Sequence, residues 1–434
     1  MNRRTFVHAT TSAVGVAAIG SRVPQDWVRL RVNESRLYRN IEELSSFGRT
    51  PEGGVHRPAF SQEDIAARQF CMGLMRNAGL EVRVDAAGNI LGRLAGTDPD
   101  AKPILFGSHV DTVPNGGKYD GGLGSLAAIE LAQTVQENGY RNRRPLDAVI
   151  WCDEESGLTG SLGFVGRLEA EALRRERSDG ATLAECIDRI GGDPARIEDA
   201  AHRSGDITAY FELHPEQGGI LDRAGIDVGI VQGIVGINHY EIELVGFPNH
   251  AGTTPMDQRR DAMLAASEIV LAVNTHVRSV PGTHVGTVGR LNVEPNAPNV
   301  VPGRVTLTVE IRDLSNDTIE MLWSRILPDA EEIARKYEVS LGHERSTQVD
   351  PAMADADIQE VIARAASSLD LSAQAMPSGA GHDAQVLAGI GPMGMIFVPS
   401  VDGISHSPLE FTKPEDVTNG ANLLLQSVLL LDQS

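Results

Sequence analysis

Cysteine is scarce in this chain: 434 residues hold only Cys71, Cys152 and Cys186. Three scattered thiols build no disulfide framework, and no Cys-x-x-Cys pair offers a metal knuckle. Cys152 closes an apolar run beside acidic residues, surroundings that raise a thiol pKa and assign it to packing rather than nucleophilic chemistry. Positive charge is also short. Lys and Arg number 38 against 59 Asp and Glu, a formal charge of −21. Such a balance argues against nucleic acid or an anionic membrane as partner. Long apolar runs are missing as well. The stretch Val7 to Gly20 is weakly apolar and too short to span a bilayer. No internal repeat or low-complexity tract interrupts the chain.

What is present is an ordinary globular composition, long enough for two domains with a sizeable core. The amino terminus, Asn2-Arg-Arg-Thr-Phe6 followed by small residues, reads as a twin-arginine export signal over 1–26, with a cytoplasmic location as the alternative. A helix is expected over Trp27 to Leu44, a second from Ser61 to about Asn77, and a hairpin at Leu80–Val84 and Asn89–Leu94.

The most informative stretch follows. Ile104-Leu105-Phe106 reads as a buried strand that stops at Gly107-Ser108 and delivers His109, Asp111 and Asp120 into a Gly-rich loop. A helix starts after Gly122. Strand, polar loop and helix in this order build a site at the carboxyl end of an open α/β sheet. His and Asp together suit zinc or a similar divalent ion. Asp111, two residues beyond His109, would point the same way on an extended chain and hold the far ring nitrogen of His109.

Two further strands repeat the pattern. Leu146–Cys152 delivers Asp153-Glu154-Glu155, and Tyr210–Leu213 delivers His214. Neighbouring carboxylates raise each other's pKa, which suits a general base. Residues 166–207 read as charged and helical. From Asp227 the character changes to alternating strands and two helices, Asp257–Val280 and Asn316–Tyr337, the order of a small ferredoxin-like α+β domain. An inserted domain over 228–340 is therefore expected, with the catalytic domain formed by 27–227 plus 341–434. The α/β pattern returns with Gly-Ala-Gly-His382-Asp383, a buried strand Met393–Val398, and an exit loop carrying His406.

Taken together, Gly-Ser-His109-Val-Asp-Thr-Val, Gly-Gly-Lys-Tyr-Asp120-Gly, Glu154-Glu155, Glu-Leu-His214-Pro-Glu-Gln-Gly, Asn249-His250-Ala-Gly-Thr-Thr-Pro-Met, Ser-Gly-Ala-Gly-His382-Asp-Ala-Gln and Gly-Ile-Ser-His406-Ser-Pro resemble the co-catalytic di-zinc exopeptidase and aminoacylase superfamily. The likeness is closest to its amidase branch: allantoate amidohydrolase, N-carbamoyl-L-amino-acid hydrolase and β-ureidopropionase. It implies a zinc-exopeptidase-like α/β catalytic domain with an inserted lid and dimerisation domain. It implies two divalent ions, Zn²⁺ or Mn²⁺, with Asp120 bridging, His109 and His214 completing one, and Glu155 and His406 the other. Glu154 would be the general base, and Gln217, Asn299, Arg312 and His382 would hold the substrate. His250 would stabilise the tetrahedral intermediate from the other subunit, which implies a homodimer. The implied activity is hydrolysis of a non-peptide C–N bond in an N-carbamoyl or ureido acid. The alternative is an exopeptidase or N-acyl-amino-acid hydrolase, whose branches often carry Glu where His214 stands. The stretch Glu155-Ser-Gly-Leu-Thr-Gly-Ser161 departs from the branch: it is shorter and lacks an Arg usual there.

Overall fold

The structure is a computed structural model that describes residues 26–177 and 179–434. The export-signal expectation over 1–26 falls, but for its last position, outside the described residues. Strands in chain order are β1 (Glu81–Val84), β2 (Ile90–Leu94), β3 (Ile104–His109), β4 (Leu146–Trp151), β5 (Ala209–Pro215) and β6 (Val228–Ile234). The chain then crosses into β7 (Gly236–Val245), β8 (Asn249–His250), β9 (Val285–Glu294), β10 (Val300–Val301), β11 (Arg304–Asp313) and β12 (Ser340–Val349). It returns with β13 (Ala352–Met353), β14 (Ala373–Ser378) and β15 (Met393–Val398).

The large sheet runs β1-β2-β4-β3-β5-β15-β6-β13, with β14 also on β6. Its centre, β4-β3-β5-β15, is parallel. These four strands are buried along their whole length because both faces are covered. Alternation sorts their side chains. Phe106, Ile150, Phe211 and Leu213 join the core under helices Gly122–Glu137 and Pro414–Asp432, while Leu105, Val149, Trp151 and Tyr210 join a second core on the opposite face. Gly107 is required where β3 passes β4, since a Cβ there would collide with the Val149 carbonyl oxygen.

The smaller sheet runs β12-β7-β11-β9, all antiparallel, with helices Ala262–Ser279 and Asn316–Lys336 on one face. Tyr240 stacks on Trp323 at 3.8 Å between centroids in its core. This is the ferredoxin-like order expected, but its limits differ. β6 belongs to the large sheet and β12 to the small one, so the insertion spans 236–349 rather than 228–340. β12 is polar and mostly exposed, an edge strand without the alternation that marks β7 and β11.

Three local expectations are corrected. The helix over Trp27–Leu44 is a short 3-10 turn, Asp26–Arg29, and then a helix Glu34–Leu44, because the Asn33 side chain caps the Arg36 N–H. The helix placed at Asp257 begins at Ala262, capped by Asp261. The described residues of 166–207 are only partly helical, with one α-helix, Leu183–Arg189, and two 3-10 helices, Ala172–Arg174 and Pro194–Ala200. The three cysteines are free and buried, and burial pushes the Cys152 thiol well up, in line with packing.

Candidate metal centre

The central strands end on one edge of the large sheet, and the loops after them converge there. β3 ends at His109, and β5 brings in His214. The loop after β3 supplies Asp120, the turn after β4 supplies Glu154 and Glu155, and the loop after β15 supplies His406. Asp120 lies at the centre. Its Oδ1 is 3.5 Å from His109 Nε2 and 3.2 Å from His214 Nε2. Its Oδ2 is 3.2 Å from His406 Nε2, which in turn is 3.8 Å from Glu155 Oε2. Two ligand-type groups result, His109–Asp120–His214 and Asp120–Glu155–His406, joined by one carboxylate.

The donor set fits divalent ions. His109 Nδ1 meets the Asp111 carbonyl oxygen at 3.0 Å, and His214 Nδ1 meets the Pro215 carbonyl oxygen at 3.0 Å. Both rings are thereby oriented with Nε2 facing Asp120, the arrangement of ligand histidines whose far nitrogen is held by the protein.

Asp111 acts differently from expectation. Its backbone oxygen, not its carboxylate, meets the His109 ring; the carboxylate lies 3.7 Å from Nδ1. The carboxylate instead accepts the backbone N–H groups of Glu154 at 3.4 Å and Glu155 at 3.2 Å. The strand ends at His109, so the two-residue alternation no longer governs Asp111. Asp153 enters the turn with φ of 58°, which swings the paired glutamates toward Asp120.

Electrostatics follow from crowding of charge out of water. Burial and the nearby Asp383, Glu155 and Asp111 charges hold the Glu154 carboxyl well above its ordinary range, against the pull of His109. Asp120 goes the other way. Burial opposes its charge, but hydrogen bonds from His109, His214 and His406 bring it well below the usual value. Burial and the neighbouring His214 push His382 well down, so its ring is neutral, with Nε2 2.9 Å from the Ser378 hydroxyl.

A cavity of about 330 Å³ opens over these groups, lined also by Gln217, Arg312 and His382. Gln217 Nε2 donates to Asp120 Oδ2 at 2.9 Å, and its buried Oε1 has no protein partner. Arg312 donates to both carboxylate oxygens of Glu310 and to the Gly379 carbonyl at 2.8 Å. His250 and Asn299 are not brought to this cavity. They lie exposed together where β8 pairs with β10, in the smaller domain.

Two supporting carboxylates escaped the sequence reading. Glu410 accepts the N–H groups of Tyr119 at 2.9 Å and Asp120 at 3.1 Å, and burial lifts it to about 7. Glu212 accepts from the Ser108 hydroxyl at 2.8 Å and the Ala384 N–H at 3.1 Å. Glu212 was within reach, since it shares a strand face with His214. No local pattern marks Glu410.

A mixed sheet with a parallel centre covered on both faces, a smaller antiparallel sheet carrying two helices, and a His/carboxylate cluster at the strand ends match the zinc-exopeptidase-like hydrolases. The chain belongs to peptidase family M20/M25/M40, which it matches over residues 105–430. It is 42% identical over 407 residues to an N-carbamoyl-L-amino acid amidohydrolase of Geobacillus stearothermophilus, covering 93% of this chain and 99% of that one. It is 38% identical over 408 residues to a ureidoglycolate hydrolase of Arabidopsis thaliana, covering 91% and 86%. A solved amidase of the hydantoinase/carbamoylase family from Burkholderia multivorans superposes with a TM-score of 0.86 at 35% identity, covering 93% and 99%. These relatives belong to the amidase branch that the motifs indicated, and the chain is a hydrolase of that branch.

Proposed function

We propose that this protein is a metal-dependent amidohydrolase that cleaves the C–N bond of an N-carbamoyl or ureido acid. The observation that carries the reading is the meeting of two three-residue ligand groups on Asp120; His214 stands in one of them, where peptidase branches often carry Glu. The names of the relatives agree with it.

Two divalent ions, Zn²⁺ or Mn²⁺, would be held by His109, Asp120 and His214 and by Asp120, Glu155 and His406; bound there, they supply an acidified water and a polarised carbonyl. Glu154 takes the proton of the attacking water and returns it to the leaving nitrogen. Arg312 exchanges its contact with Glu310 for the substrate carboxylate, which its planar fork matches. Gln217 and His382 orient the ureido end from the cavity wall.

His250 and Asn299 act in a neighbouring copy, where His250 donates to the oxyanion. That assignment accounts for their exposure away from their own cavity and makes the working unit a homodimer. The smaller domain serves as lid and dimerisation surface. No helix among the described residues is long and apolar enough to cross a membrane. Residues 1–26 act as a twin-arginine signal, checked by fusing them to a reporter and following its export.

The deciding experiment is ammonia and amine release by metal-loaded protein from allantoate, N-carbamoyl-L-amino acids, N-carbamoyl-β-alanine, N-acetyl-amino acids and dipeptides. Metal-dependent ammonia release from a ureido compound, lost in Glu154→Gln with metal content retained, supports the reading. Turnover of acyl or peptide substrates alone refutes it.

A further inference from the structure

The chain passes between its domains twice, at Val235 between β6 and β7 and at Asp350–Pro351 between β12 and β13. These crossings press on each other. A Cβ on Gly236 would come within 2.7 Å of Pro351 Cδ and 2.8 Å of the Val349 carbonyl oxygen. Two crossings packed together make one pivot rather than two independent tethers.

A third segment grips that pivot. The Val235 N–H donates to the Ser378 carbonyl at 3.0 Å. Gln385 Nε2 donates to the Val235 carbonyl at 3.4 Å and to the Asp350 carbonyl at 3.0 Å. Val235 is thus held at its N–H by Ser378 at the end of β14 and at its C=O by Gln385 in the helical turn Asp383–Leu387, on either side of one loop, and the second crossing is held by the same amide. Inside that loop sits His382, bonded to the Ser378 hydroxyl, with its ring 4.5 Å from that of His214. The smaller domain reaches the loop once more, through Arg312 to the Gly379 carbonyl. Beside the pivot a cavity of about 550 Å³ separates residues 348–353 from the helical turns near Leu158 and Leu162. It leaves the crossings room to move without opening a core.

We infer that Gln385 is a positioning residue: it locks the interdomain pivot to the His382 loop, so that the angle between the domains and the placement of His382 are set together. The side-chain amide has two N–H bonds on one nitrogen, one for each carbonyl. Leucine at this position offers none. Glutamate sets oxygen lone pairs against two carbonyl oxygens. Lysine keeps N–H donors at similar reach.

The test uses the full chain, loaded with Zn²⁺ or Mn²⁺, carrying spin labels at Glu332→Cys in the smaller domain and Glu360→Cys in the larger one. Both sites are exposed, and the native cysteines are buried, so labelling is selective. With the labelled chain diluted in excess unlabelled protein, so that only distances within one subunit are read, a single narrow distance distribution is expected in the parent and in Gln385→Lys. In Gln385→Leu and Gln385→Glu it broadens, with unchanged metal content. KM for the best ureido substrate then rises on the order of tenfold, with a smaller change in kcat, and Gln385→Lys recovers most of it. Distributions and KM in the Leu and Glu variants equal to the parent's would overturn the inference. So would equal impairment of all three variants, which would make Gln385 merely a packing residue. The kinetic arm rests on the proposed activity and the distance arm does not. A parent inert toward every ureido substrate would therefore count against that activity alone, while the distances still decide the latch.

Discussion

Asp111 caps Glu155: its Oδ2 accepts the Glu155 backbone N–H at 3.2 Å, although the two residues lie 44 positions apart in the chain. One residue therefore orients the His109 ring through its backbone oxygen and holds the turn bearing the paired glutamates through its side chain. Asp111→Ala leaves that turn without its acceptor. Metal retention against a competing chelator is expected to fall about 10–100-fold, with Asp111→Asn closer to the parent because one acceptor oxygen survives. Equal retention in all three would remove the capping role.

Arg312 offers a test of substrate charge. Arg312→Lys keeps the positive charge and loses the fork, and kcat/KM for an N-carbamoyl acid should drop on the order of 10–100-fold. The matching N-carbamoyl amide, which lacks the carboxylate, should be handled alike by parent and variant. A similar drop on both compounds would assign Arg312 to the loop contact with Gly379 instead.

Exposure of His250 outside its own cavity predicts complementation between copies. Glu154→Gln and His250→Ala proteins, each nearly inactive alone, should regain activity when unfolded, mixed and refolded together. Mixed dimers would join one intact Glu154 to one intact His250. No recovery, with mixed dimers demonstrated by mass, would place both residues in one subunit's reaction.

Asp64 is buried at the start of helix Gln62–Asn77 and accepts the Phe60 N–H at 2.8 Å. Burial raises its carboxyl from 3.8 to about 6, with Arg68 only partly offsetting. Between pH 4 and 6 the folded protein keeps a proton that the unfolded chain releases. This contribution is complete below pH 4 and is lost as pH rises through 6. Asp64→Asn is neutral throughout and retains the acceptor. Relative to the parent it should gain on the order of 2–3 kcal/mol between pH 4 and pH 7.5, read from urea melts.

Much of this was legible because chemistry sat at the ends of apolar runs. His109, Glu155, His214 and His406 each follow a strand that the sequence marks as buried, and the structure gathers them around Asp120. Periodicity failed where strands stop. It aimed the Asp111 carboxylate at His109, whereas the released backbone turned it to the amides after β4. It also failed for β12, whose polar, exposed residues carry no alternation, so the inserted domain extends past its expected limit. Glu410 illustrates a further limit. Its partners are backbone N–H groups 290 residues away, and no composition or spacing announces such a bond.

The two ends of Asp120 differ in their access to water. His109 and His214 have 1% of their side-chain surface exposed, and His406 has 50%. An ion held between the two buried rings would be shielded from water, whereas one held beside His406 would face it. Under the proposed two-ion arrangement, one bridging carboxylate would thus join a slowly exchanging metal to a readily replaced one.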